Sequence, residues 1–342
     1  RLAQVQVCDM RQELREGNRS IFSRRLAQGL RDCVAAQRQA ILFLNRRGSA
    51  PIVQCRDCGY VANCPRCSVS MTYHAADGRL FCHHCNRHSR MPSRCHSCGS
   101  ERIRQLGIGT QRVVDEVAAL LPGVRVERWD ADASRSGVPS DEIMRRLQNG
   151  ETQVLVGTQL VAKGLDVPNV TLVGVMLADV GLYLPDFRSG ERAFGLLCQV
   201  AGRAGRGAEP GQVIIQTYSP DNHSVLAAAD QDYATMYRHE VEGRQYLGNP
   251  PFNQLVHLVY QDINPILCQR QATVMARQLR QRVYAHGLTD VEVVGPAPGI
   301  PSRLRGRYRW HLVVRGRELH RFLENLSFPR GCTVDVDPAH VM

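Results

Sequence analysis

Eight cysteines fall between Cys55 and Cys98 as four C-x-x-C pairs: Cys55/Cys58, Cys64/Cys67, Cys82/Cys85 and Cys95/Cys98. A C-x-x-C turn aims two sulfurs at one point, and a tetrahedral zinc ion needs four such ligands. Four pairs therefore make two zinc sites, each closed by thiolates and structural in character. Other uses of paired thiols fit less well. A dithiol redox centre needs one pair beside a thioredoxin-like strand and helix. An iron–sulfur cluster uses four thiolates, whereas the even pairing here favours zinc. A disulfide framework belongs to secreted chains, and this sequence shows no signal-peptide pattern and no bilayer-length apolar run. The expected location is the cytoplasm, with no membrane partner. Cys8, Cys33, Cys198, Cys268 and Cys332 stand singly, as buried small hydrophobes do.

Sequential pairing would join Cys55/Cys58 with Cys64/Cys67 across a very short connection. A nested arrangement joins Cys55, Cys58, Cys95 and Cys98, and separately Cys64, Cys67, Cys82 and Cys85. Residues 71–81, with Asp77-Gly78 at their centre, read as a β-hairpin that favours nesting. His83, His84, His88 and His96 are alternative ligands that the surplus of cysteine makes unnecessary. Gly59 and Gly99 each follow a pair, where a positive φ lets the chain turn sharply. Arg56, Arg66, Arg79, Arg87, Arg90 and Arg94 make the module basic, and the formal charge of the whole chain is +11. Both favour a polyanionic partner, because cations near a phosphate backbone release condensed counterions.

Around the module the pattern is α/β. Residues 40–44, 124–129, 153–156, 171–177 and 212–217 are short apolar runs of the kind that form buried parallel strands. Residues 111–121 and 141–148 carry helical periodicity between them, so an open α/β sheet with function at its strand ends is expected. The module begins after the first of these strands and ends before Leu106-Gly-Ile-Gly-Thr110, which makes it an insertion. Gly107 and Gly109 before a helix, with Thr110 at the N-cap, offer amides to a phosphate on the DNA side. An ordinary capped helix reads the same way. Beyond residue 226, helices over 233–244 and 265–286 alternate with strands near 255–260, 291–294, 308–314 and 332–336, an α+β pattern. There Arg303, Arg305, Arg307 and Arg309 surround a turn. Arg305 and Arg307 are candidates for a phosphate or acidic-peptide contact, and a solvated basic hairpin explains them equally.

Val154-Leu-Val-Gly-Thr158, followed by Lys163-Gly-Leu-Asp-Val-Pro-Asn-Val170, resembles motif V of superfamily 2 helicases. Gln199-Val-Ala-Gly-Arg-Ala-Gly-Arg206 resembles their motif VI. The resemblance implies a RecA-like helicase lobe in which Arg203 and Arg206 reach a γ-phosphate held by another lobe. Gln199 would orient that network, Thr158 would touch the DNA backbone, and Gly164 with Asp166 would couple nucleotide to DNA. Such an arginine contributes roughly 10³–10⁵ in rate. Asp179-Val-Gly-Leu-Tyr-Leu-Pro-Asp-Phe-Arg188, Glu191-Arg192, Asn45-Arg-Arg-Gly48, Asp9-Met-Arg-Gln-Glu-Leu-Arg-Glu-Gly-Asn18 and the cysteine spacing are similar to the PriA family of primosomal replication-restart DNA helicases.

That resemblance implies nested pairing of two zinc ions and an ATP-dependent 3′→5′ DNA helicase. Such an enzyme recognises branched forks and single-stranded DNA and helps reload the replicative helicase. It works with single-stranded-DNA-binding protein and other primosome proteins, and is nucleoid-associated in the bacterial cytoplasm. The sequence departs from a whole family member in carrying neither a G-x-x-x-x-G-K-[ST] phosphate loop nor an Asp-Glu pair for magnesium. It therefore reads as a partial chain whose ATP and Mg²⁺ site another lobe completes. The expected organisation is the start of the lobe over 1–54, the zinc module over 55–98, the rest of the lobe over 99–225 and a DNA-binding α+β domain over 226–342. The alternative is a non-enzymatic, zinc-stapled scaffold for primosome assembly on DNA.

Overall fold

The computed structural model describes residues 3–45, 52–75, 77–130, 139–158, 167–205 and 210–341. The chain starts with β1 (Gln4–Asp9), a short helix α1 (Met10–Arg15), α2 (Arg24–Ala35) and β2 (Gln39–Phe43). The cysteine module follows as β3 (Val53–Cys55), β4 (Thr72–His74), β5 (Arg79–Phe81), β6 (His88–Arg90) and β7 (Ile103–Gln105). The lobe resumes with α3 (Thr110–Leu120), β8 (Val126–Trp129), α4 (Ser140–Gln148), β9 (Val154–Gly157) and β10 (Val170–Val175). It continues through α5 (Asp179–Leu182), α6 (Ser189–Ala201), β11 (Gln212–Thr217), α7 (His223–Asp230) and α8 (Tyr233–Leu247).

The lobe's strands form one parallel sheet in the order β1-β11-β10-β2-β9-β8. Successive side chains of a strand point to opposite faces. Ile41, Phe43, Leu155, Val173 and Ile215 meet Ile143 of α4, Phe194 and Leu197 of α6, and Val225 of α7. Leu42, Val154, Val156, Leu172 and Ile214 meet Leu26 and Leu30 of α2, and Val113 and Val117 of α3. Helices thus cover both faces, which is why the central strands read as unbroken apolar runs. The fold class read from the sequence is the one found. The first core also takes in Ala227, Ala228 and Met236, so α7 and the start of α8 pack on the lobe.

The second sheet is antiparallel, in the order β13-β14-β12-β15. It is built from β12 (Gln254–Asp262), α9 (Pro265–Ala285), β13 (Glu292–Leu304), β14 (Arg307–Gly316), α10 (Leu319–Leu323) and β15 (Cys332–Val336). Cys268, Ala272, Met275 and Leu279 of α9 cover Val256, Leu258, Tyr260, Leu312 and Val314. The opposite face carries His257 and His311, each 4% exposed.

One sequence expectation is corrected. Thr110 is the first helical residue of α3, and the cap position belongs to Gly109, which offers no side chain. The Thr110 hydroxyl instead donates inward to the buried carboxylate of Asp130 at the end of β8. A buried carboxylate requires donors, and this long-range demand overrides the local capping preference.

Candidate metal centre and motor-lobe site

Each C-x-x-C pair folds into the same knuckle. The first cysteine's amide donates to the carbonyl five residues on: Cys55 to Tyr60 and Cys64 to Val69 at 2.8 Å, Cys82 to Arg87 at 2.9 Å, and Cys95 to Ser100 at 2.8 Å. The same cysteine's carbonyl accepts from the amide four residues on, from Gly59, Ser68, Asn86 and Gly99 respectively. Closing that ring puts the donor residue in the left-handed region, with φ of +80° at Gly59, +54° at Ser68, +60° at Asn86 and +72° at Gly99.

Strand pairing then decides which knuckles meet. The antiparallel β3–β7 pair sets Cys55 opposite Ile103, so the first knuckle lies beside the last. The β4–β5 hairpin returns Cys82 to Cys64. The sulfurs of Cys55, Cys58, Cys95 and Cys98 all lie within 4.8 Å of one another, and so do those of Cys64, Cys67, Cys82 and Cys85. Burial holds the thiols of Cys58 and Cys82 up at about 12, and the neighbouring cysteines add to the effect. Against burial, the amides of Arg66 and Cys67 draw Cys64 down. Four clustered thiols shed their protons together only around a dication, so the donor set of each tetrad fits one zinc ion. Bound there, zinc would supply charge and a cross-link between distant knuckles.

The module's histidines are engaged elsewhere. His83 Nδ1 lies 2.8 Å from the Pro298 carbonyl, and a His84 ring nitrogen lies 3.4 Å from that of Pro185. His88 meets Asn86 at 2.9 Å, and His96 tilts against Tyr60.

The outer knuckle is seated on the carboxyl ends of the lobe's strands. Arg11 Nη1 donates to the Cys58 carbonyl at 3.4 Å and Arg15 Nη2 to that of Asp57 at 2.6 Å. Gln54 Nε2 donates to Asp179 Oδ1 and to Ser219 Oγ, both at 3.0 Å, while the Tyr218 amide donates to Asp179 Oδ2 at 3.0 Å. Asp179 is fully buried, and that burial raises its carboxyl pKa against these donors. At Gly59 a Cβ would lie 2.3 Å from the Tyr218 carbonyl oxygen, so only glycine permits the approach. The Asp179–Arg188 stretch is therefore a hub. The carboxylate of Asp186 accepts from the amides of Arg188 at 2.8 Å and Val341 at 3.1 Å, and pairs with Arg192 at 3.3 Å. Ser70 of the module donates to the Tyr183 carbonyl. What marks Asp186 is a carboxylate with no side-chain exposure, and burial is not visible in sequence.

In the lobe, Gln199 is exposed on the last turn of α6, and Arg203 is half-buried in the turn that follows, its amide donating to Val200 at 3.1 Å. Gly205 continues that turn at φ +74°, with its would-be Cβ 2.2 Å from the Gly211 nitrogen. Thr158 follows β9, its amide 3.3 Å from the Trp129 carbonyl. Arg206, Gly164 and Asp166 lie outside the described residues. Thr110 is 1% exposed. Arg305 and Arg307 are exposed at the β13–β14 hairpin tip, where Arg305 (+49°) and Gly306 (+82°) form its two-residue turn. No helix among the described residues is long and apolar enough to cross a membrane.

The fold and its cysteine tetrads define an α/β helicase carboxyl-terminal lobe bearing an inserted zinc-ribbon module and a small antiparallel domain. Three family models match along the chain. They are the PriA DNA helicase Cys-rich region domain over residues 64–90, the helicase conserved C-terminal domain over 109–208 and the primosomal protein N C-terminal domain over 245–339. The chain is 43% identical over 319 residues to the replication restart protein PriA of Bacillus subtilis, covering 93% of this chain and 39% of that protein. The corresponding Synechocystis protein is 43% identical over 318 residues, with 92% and 38% covered. That of Treponema pallidum is 38% identical over 331 residues, with 94% and 50% covered. The chain belongs to the PriA family of replication restart proteins. It spans about two fifths to one half of the length of these relatives.

Proposed function

We propose that this chain is the arginine-donating half of an ATP-driven motor that moves 3′→5′ on DNA at stalled or repaired forks and helps reload the replicative helicase. Gln199, Arg203 and Arg206 would face ATP and Mg²⁺ held by a first motor lobe. Arg203 and Arg206 would neutralise charge spreading over the transferring phosphoryl oxygens, while Gly164 and Asp166 would link that event to DNA. Thr158, Arg305 and Arg307 would meet the DNA backbone. The buried side chain of Thr110 limits its contribution to positioning α3 through Asp130. The two zinc ions would be structural, and the carboxyl-terminal domain would contact DNA and single-stranded-DNA-binding protein within a primosome.

The observation that carries this reading is the α6–β11 turn, whose Gly205–Gly211 crossing holds Arg203 at the end of a buried helix in a chain of this family. In the test, DNA-stimulated ATP hydrolysis is measured for the chain alone and for the chain joined to the first lobe of a PriA relative. The chain alone is expected to be inactive and the joined protein active. Arg203→Ala should lower kcat of the joined protein at least a hundredfold. An unchanged kcat in that variant would contradict the assignment.

A further inference from the structure

In an open α/β sheet the crevice beyond the carboxyl ends of the strands is where ligands bind. Here Arg56 of the outer zinc knuckle lines a cavity of about 70 Å³ at that end of the sheet. Met176 after β10 and Tyr218 after β11 form part of its floor. Its charged lining is three arginines from three separate segments: Arg19 from the α1–α2 connection, Arg112 from the first turn of α3, and Arg56 from inside the first C-x-x-C. Among the described residues no carboxylate lines it. The nearest ion partner of Arg112 is Glu116, one helical turn away at 3.8 Å.

Two further features point to an anion. The Arg56 Nε is buried and has no hydrogen-bond partner among the described residues. A buried guanidinium N–H without an acceptor is costly, and an anion received in the cavity would satisfy it. Gly107 and Ile108 also line the cavity, and Gly109 leaves the first-turn amides of α3 without a side-chain cap. A helix amino end favours negative charge beside it.

We propose that this cavity is a phosphate site shared by the motor lobe and the outer zinc knuckle, and that it takes one backbone phosphate of the DNA strand crossing the lobe. This rests on the DNA-binding reading given above. Because Arg56 lies between Cys55 and Cys58, the site exists only when the outer tetrad is closed. Zinc would then act on DNA binding through the position of one guanidinium, without touching DNA.

The test is fluorescence anisotropy of labelled oligothymidylate with the zinc-loaded chain across a salt series. Arg56→Ala, with its zinc content verified, should weaken binding several-fold and lower the slope of log affinity against log salt by about 1. Arg112→Ala should do the same from outside the module, which covers the case in which Arg56→Ala loses metal. Arg238→Ala on α8 is the control and should change neither. Zinc-replete Arg56→Ala or Arg112→Ala with wild-type affinity and slope would overturn the site. ATP displacing the oligonucleotide from wild type but not from Arg56→Ala would assign the cavity to a free nucleotide and overturn the DNA assignment. Absence of DNA binding by the wild-type chain would instead remove the functional reading on which the site rests.

Discussion

Gly59 shows how much of this molecule hangs on single backbone positions. It sits at φ +80° against the Tyr218 carbonyl, at the seam where the outer knuckle meets the lobe. Gly59→Ala adds both a left-handed penalty and a clash with backbone, and should destabilise the zinc-loaded chain by about 2 kcal/mol or more in urea unfolding. Ser68 occupies the equivalent place in the second knuckle at φ +54°. Ser68→Gly should therefore stabilise, by about 0.5–1 kcal/mol, in the same measurement. The sequence exposed half of this pattern. Gly59 and Gly99 advertise a positive φ, whereas Ser68 adopts it only because the knuckle's hydrogen-bonded ring leaves no other conformation. Asn86 tolerates it through a short polar side chain. Thr110 misled for the opposite reason, since a local capping signal was overridden by a partner twenty residues away, Asp130.

At the scale of elements, legibility followed burial. β2, β9, β10 and β11 are covered on both faces and announce themselves as apolar runs. β1 lies at the sheet edge with the half-buried sequence Gln-Val-Gln-Val-Cys-Asp, and its partner β11 is more than two hundred residues distant. Its Gln-Val-Gln-Val alternation is a short half-buried strand signal, and Ser23 before Leu26, Leu30 and Cys33 is a capped-helix signal, but both are weaker than an unbroken apolar run. The β4–β5 hairpin was legible from Asp77-Gly78, because a tight turn is a local property. Its consequence, the meeting of Cys64/Cys67 with Cys82/Cys85, follows from antiparallel pairing. The β3–β7 pair that closes the outer tetrad spans the whole module, and its three-residue strands are too short to carry a periodic signal.

Across the whole molecule, the contacts that cement the parts together join residues far apart in the chain and leave no local pattern. His257 Nε2 lies 2.8 Å from His311 Nδ1, and His311 Nε2 lies 2.8 Å from the His83 carbonyl. His311 donates from Nε2 to that carbonyl, and with both rings neutral its Nδ1 accepts from His257 Nε2. Burial holds His257 at about 4 and His311 well below the ordinary imidazole range. Between about 4 and about 6.5 the unfolded chain therefore binds more protons than the folded one. Stability is complete above that window and is lost as pH falls through it, by on the order of 3 kcal/mol from His257 alone, with His311 adding in the same direction. Urea unfolding at a series of pH values should show this loss, and His311→Gln should flatten it. The zinc module is the third body in this junction, touching the lobe through Gln54 and Asp179 and the second sheet through His83. Its two nested cysteine tetrads each fit one zinc ion, and metal content in paired cysteine variants tests that pairing directly. Cys55→Ser/Cys98→Ser should retain one zinc per chain, whereas Cys55→Ser/Cys64→Ser should retain none. One zinc retained in the second pair and none in the first would mean sequential sites and would contradict the account.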